Sequence, residues 1–153
     1  MRRRGFLLAP AVAVMLGLMT SCTGTATVDQ SAPPAESSSP DAACDVSDVD
    51  PQQQYPDVLA AELAPGSDGF TVSVTICSPY DTPERYADGW RVLTPDGEVL
   101  AEHQLTHDHA SEQPFTRTSS PFSIPDDIDQ VTVEARDQAN GYGGETVTID
   151  VPR

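Results

Sequence analysis

From Phe70 to Cys77 the chain alternates: Phe70, Val72, Val74 and Ile76 fall on one side, and Thr71, Ser73, Thr75 and Cys77 on the other. A side-chain period of two with one polar face predicts an antiparallel strand with one face in a core and the other in water. Related patterns return at Trp90–Thr94, Glu98–Thr106, Val131–Arg136 and Glu145–Val151, the last with Val147, Ile149 and Val151 inward. Val58–Leu63 reads as a weaker first strand. Phe115–Ile124 reads as a further strand, interrupted by Pro121, which marks an edge or a bulge because proline cannot donate to a ladder. Turn chemistry separates these runs at Pro65-Gly66-Ser67-Asp68-Gly69, Pro95-Asp96-Gly97 and Asn140-Gly141-Tyr142-Gly143-Gly144. Gly97 supplies the positive φ that a hairpin needs. Strong helical periodicity is absent. About seven short strands at this spacing predict a single all-β antiparallel sandwich over residues 44–153, with Trp90 in its core.

The first 43 residues follow neither period. Arg2-Arg3-Arg4 precede an apolar run from Phe6 to Met19, followed by small residues. That run is too short for a comfortable membrane span and has the layout of a secretory signal. Its end, Leu18-Met19-Thr20-Ser21-Cys22, resembles a bacterial lipoprotein signal. The resemblance implies removal of residues 1–21, a lipid of the palmitate type on the Cys22 thiol, and a protein anchored on the extracytoplasmic face of the cell membrane. Stable attachment takes more than one acyl chain. Residues 22–43 are small, polar and Pro/Ser-rich, and cannot bury enough surface to offset their ordering entropy. They read as a flexible linker with a reach of roughly 25 Å.

The lipoprotein resemblance also organises the cysteines. With Cys22 lipidated, Cys44 and Cys77 remain, and export places them in an oxidising compartment where a disulfide is the default. The alternative is a metal-binding or reactive thiol pair, which neither a CxxC spacing nor a flanking histidine supports.

Charge excludes some partners. The chain has 24 acids against eight arginines and no lysine, a net of −16, and loss of Arg2, Arg3 and Arg4 lowers it to −19. Five scattered arginines build no basic patch, so nucleic acid is excluded as a partner and an anionic membrane surface repels the domain. Such charge attracts cations, and it also serves plain solubility.

The last third, Val131–Asp137, Asn140-Gly141 and Thr146–Val151, resembles the closing strands of bacterial immunoglobulin-like and fibronectin type III-like domains. That resemblance implies an immunoglobulin-like fold serving as a scaffold for binding an envelope protein or a small ligand, and it implies a fold more than a function.

Candidate chemistry concentrates in His103-Gln-Leu-Thr-His107-Asp108-His109-Ala-Ser-Glu112, which holds all three histidines within seven residues. On an extended strand His107 and His109 project to one side and converge on an ion, with His103 on the same face and Glu112 or Asp108 adding an oxygen. Imidazole suits Zn²⁺ or Cu²⁺. The bland alternative is a polar loop between strands. Phe115 and Arg117, with Glu112 and Arg117 as a pair, form a candidate contact loop, and Tyr142 among its glycines is a second candidate contact. Gly141-Tyr142-Gly143-Gly144 is no phosphate loop, since no lysine follows and a strand comes next. No nucleophile elbow or HExxH pattern organises the Ser, His and Asp residues, so the sequence points to a non-catalytic protein without a cofactor unless the histidines hold a metal.

Overall fold

The structure, a computed structural model, describes residues 44–47 and 49–153. Cys22, the segment assigned to the signal and the linker lie outside the described residues. Among the described residues no helix is long and apolar enough to cross a membrane.

Eight strands follow one another: β1 (Asp57–Gly66), β2 (Gly69–Cys77), β3 (Ala87–Leu93), β4 (Val99–Gln104), β5 (Phe115–Thr118), β6 (Gln130–Asp137), β7 (Gly141–Tyr142) and β8 (Val147–Asp150). They form two antiparallel sheets. One has the order β1-β2-β5; the other has β4-β3-β6-β7, with β8 also paired to β6. The result is the expected all-β class, an open sandwich. The connections β2–β3 and β4–β5 each leave one sheet and enter the other.

The alternating residues of β2 fill the interior. Val72, Val74 and Ile76 are fully buried and share one core with Trp90 and Val92 of β3, Val131, Val133 and Ala135 of β6, and Phe115, the neighbour of Ile76 on the adjacent β5. Polar positions of the same strands meet on the outside, where Ser73 pairs with Thr118 at 2.9 Å and Thr75 with Thr116 at 2.8 Å. Cross-strand hydroxyl pairs of this kind stabilise a solvated face modestly.

Some boundaries differ from the expectation. The first strand is a ten-residue element and the strand around Trp90 begins at Ala87. Phe115–Ile124 is not one strand: β5 stops at Thr118, and after Pro121 the chain returns to the sheet only through a bridge between Phe122 and Phe70. The glycine loop contains a two-residue strand, β7. Cys44 and Cys77 are joined by a disulfide, with Cα atoms 5.4 Å apart. It fastens the segment entering the domain to the end of β2.

Candidate metal centre

β4 ends at Gln104, and one further main-chain bond reaches β3 before the chain turns away. The Leu105 amide donates to the Asp88 carbonyl at 2.8 Å, and Leu105 turns into the core. His107 and His109 therefore lie in the connection to β5 and not on a strand, so strand alternation is not what brings them together. A tight turn folds Glu112 back to His109, its amide donating to the His109 carbonyl at 3.0 Å, and the His107 ring packs against that of His109.

Ligand atoms of His107, His109 and Glu112 all lie within 4.8 Å of one another. His109 is 1% exposed, and neither ring nitrogen has a hydrogen-bond partner among the described residues. Its ring stacks on Phe115 with centroids 3.9 Å apart and leans on His107 at 4.8 Å. Burial, with the Arg117 and His107 charges adding to it, pushes the His109 imidazole below its usual pKa. The ring is thus neutral at pH 7, the form that offers a lone pair.

Glu112 is exposed and accepts from Arg117 Nη2 through both carboxylate oxygens, at 3.1 and 3.0 Å. That hydrogen bond holds its carboxyl below the ordinary range. Exposed ion pairs contribute little, because water screens them, so releasing one oxygen costs little. Ligands around tetrahedral Zn²⁺ stand roughly 3.3 Å apart, given bond lengths of about 2.0–2.1 Å. The observed spread exceeds this by about 1.5 Å. His107 and Glu112, both exposed, have room to close it, while His109 is fixed. Two imidazoles and a carboxylate suit Zn²⁺ or Cu²⁺.

The other candidates lie elsewhere. His103 on β4 stacks on Trp90 at 4.1 Å, burial lowers its pKa, and it does not join the cluster. Asp108 accepts from the Ala110 amide at 3.3 Å and shapes the turn. Phe115 is 2% exposed, so its ring serves the core and His109. Tyr142 sits on the outer face of the five-stranded sheet, where its hydroxyl donates to Glu102 at 2.9 Å and its ring lies beneath Arg91 at 4.0 Å.

Sequence reasoning missed Ser78, Asp81 and Gln113. Asp81 is 5% exposed and accepts three hydrogen bonds, from Ser78 Oγ, the Ala87 amide and the His109 amide. Its one signal was position, a carboxylate just past a strand end; nothing in the chain announces a partner 28 residues away.

No family model matches the chain. A protein of Halomicrobium mukohataei, provisionally named a lipoprotein, is 38% identical over 85 residues, covering 56% of this chain. The chain spans 41% of that protein's length. Among solved structures, a superoxide reductase from Giardia intestinalis aligns with 62% of this chain and 99% of its own at 12% identity and a TM-score of 0.37, a likeness too low to carry an argument.

Proposed function

We propose that this is an exported lipoprotein, anchored through Cys22 on the extracytoplasmic face of the cell membrane, whose sandwich holds a divalent ion, Zn²⁺ or Cu²⁺, at His107, His109 and Glu112. The observation that carries the metal reading is His109, a buried imidazole with both nitrogens unpartnered beside two further ligands. A buried polar atom without a partner costs about 1–3 kcal/mol, and coordination would remove that cost at one nitrogen. The field of the acidic chain raises the local cation concentration. The lipoprotein part is supported by the signal-like start of the chain and by the name of the Halomicrobium relative.

The sheet orders β1-β2-β5 and β4-β3-β6, with a buried Trp90 on β3, support an immunoglobulin-like reading of the sandwich. The disulfide does not join the two sheets as in antibody domains. A second reading, a non-catalytic module binding an envelope protein or small ligand, is favoured by one feature: a cleft of about 290 Å³ lined by Glu102, His103, Gln104, Arg136 and Tyr142.

Thermal melting of the full-length protein with Zn²⁺ or Cu²⁺ tests the metal reading. An ion that binds the folded state stabilises it by about 2.7 kcal/mol at a hundred times Kd. The midpoint should rise, and His107→Ala with Glu112→Gln should abolish the rise while leaving the metal-free midpoint nearly unchanged, since both side chains are exposed. A flat response in the wild type removes the reading. For the anchor, Cys22→Ser should move the protein from the membrane to the soluble fraction and prevent incorporation of labelled fatty acid.

A further inference from the structure

The peptide of His109 is gripped from both sides by side chains remote from the imidazole. Its amide donates to Asp81 Oδ2 at 3.0 Å, and its carbonyl accepts from Gln113 Nε2 at 3.4 Å. Those two side chains meet again at Ser78. Ser78 Oγ donates to Asp81 Oδ1 at 2.5 Å, and the Ser78 amide donates to Gln113 Oε1 at 2.8 Å. Ser78 is fully buried and follows Cys77, the disulfide partner of Cys44. Asp81 Oδ1 also accepts from the Ala87 amide at 3.0 Å, at the start of β3. The closed circuit Ser78–Asp81–His109–Gln113–Ser78 therefore ties the histidine to the end of β2 and the beginning of β3.

A buried carboxylate is retained only where hydrogen bonds or charges compensate its desolvation. Here all three bonds to Asp81 serve to hold main chain and loop, and one of them fixes the residue whose ring is already set against Phe115. A ligand fixed at both backbone and ring loses little freedom when it binds an ion, and groups that orient ligands influence affinity although they never touch the metal. We propose that Asp81 and Gln113 are positioning residues of the metal centre, holding the His109 peptide so that its imidazole stands ready beside His107 and Glu112. This rests on the metal-binding reading above.

The test uses the full-length protein, Zn²⁺ affinity measured in competition with a chromophoric chelator, and Co²⁺ as a spectroscopic probe. Asp81→Asn keeps the shape and removes one acceptor, and Zn²⁺ affinity should fall about 10- to 100-fold. That variant also removes a negative charge, so Gln113→Glu separates position from charge. It keeps an acceptor for the Ser78 amide, loses the donor to the His109 carbonyl, and adds a negative charge that by Coulomb attraction alone would tighten cation binding. A fall in affinity in Gln113→Glu, with a shifted Co²⁺ visible spectrum at saturation, supports positioning. A metal-free melt confirms that each variant folds; if Asp81→Asn does not fold, Gln113→Glu carries the test alone. Wild-type affinity and an unshifted spectrum in the folded variants overturn the inference and leave the metal reading standing. A wild type that binds neither Zn²⁺ nor Co²⁺ overturns both.

Discussion

The imidazole of His109 lies nearly flat on the ring of Phe115, with centroids 3.9 Å apart and planes inclined by 14°. Phe115 opens β5 and is 2% exposed, so the residue that begins the core face of that strand also sets the plane of the imidazole. Phe115→Leu keeps apolar bulk and removes the flat surface. Stability should fall by about 1–2 kcal/mol, read from the urea midpoint. Zn²⁺ titration of the same variant should weaken, and an unchanged affinity would show that the stack does not orient the ring.

Asp88 gives a pH-dependent prediction. Burial, against the attraction of Arg136 at 3.5 Å and together with the charge of Asp137, raises its carboxyl above the ordinary 3.8. A carboxyl raised in the folded chain holds its proton more tightly there than in the unfolded chain. Its contribution to stability is complete below pH 3.8 and is lost as pH rises through the folded value. The stability of Asp88→Asn relative to wild type should therefore improve between about pH 3 and pH 7. Urea midpoints across that range check it; a difference that stays constant or shrinks contradicts the assignment.

The Cys44–Cys77 bridge spans 33 residues. In the chain-entropy account a loop of that size contributes about 3–4 kcal/mol by restricting the unfolded chain. Cys44→Ser with Cys77→Ser, or reduction of the wild type, should lower the denaturation midpoint by a corresponding amount. An equal midpoint under oxidising and reducing conditions would show that the bridge adds nothing to stability.

Two glycines separate backbone strain from steric contact. Gly97 has φ +85° and open space where a side chain would start, whereas Gly144 has φ +88° and a Cβ there would lie 2.1 Å from the Pro56 carbonyl oxygen. Gly97→Ala should cost about 1–2 kcal/mol from the left-handed conformation alone. Gly144→Ala should cost more, because it also displaces Pro56 and the bond from the Val58 amide to the Glu145 carbonyl at the start of β1. Comparing the two melts isolates the contact; equal losses would contradict it.

The strand β2 was legible in the chain because one of its faces is dry and the other wet, and the period records that difference directly. Phe115–Ile124 was less so: apolar Phe115, Phe122 and Ile124 suggest one run, while the ladder ends at Thr118 and Ser119 donates to Val72 from outside it. β7 is two residues long and carries no period at all. The histidine cluster was visible as composition, but the strand geometry expected of it was not what formed it, since His107 and His109 lie in a connection whose 109–112 turn folds Glu112 back toward His109. Asp81 and Gln113 escaped notice for a plainer reason. Their roles come from bonds to main-chain groups, which every residue has and no sequence pattern marks.

Residues 105–114 leave the five-stranded sheet and enter the three-stranded one, and the circuit through Ser78 and Asp81 fastens them to the β2–β3 connection, which also passes between the layers. An ion gripped by His107, His109 and Glu112 would close this one connection on itself, and the hydrogen bonds of the circuit would carry that stiffening across to the β2–β3 connection. Loading should therefore slow local opening of residues 105–114, where the chain passes between the layers, more than it alters the apolar interior on either side of it.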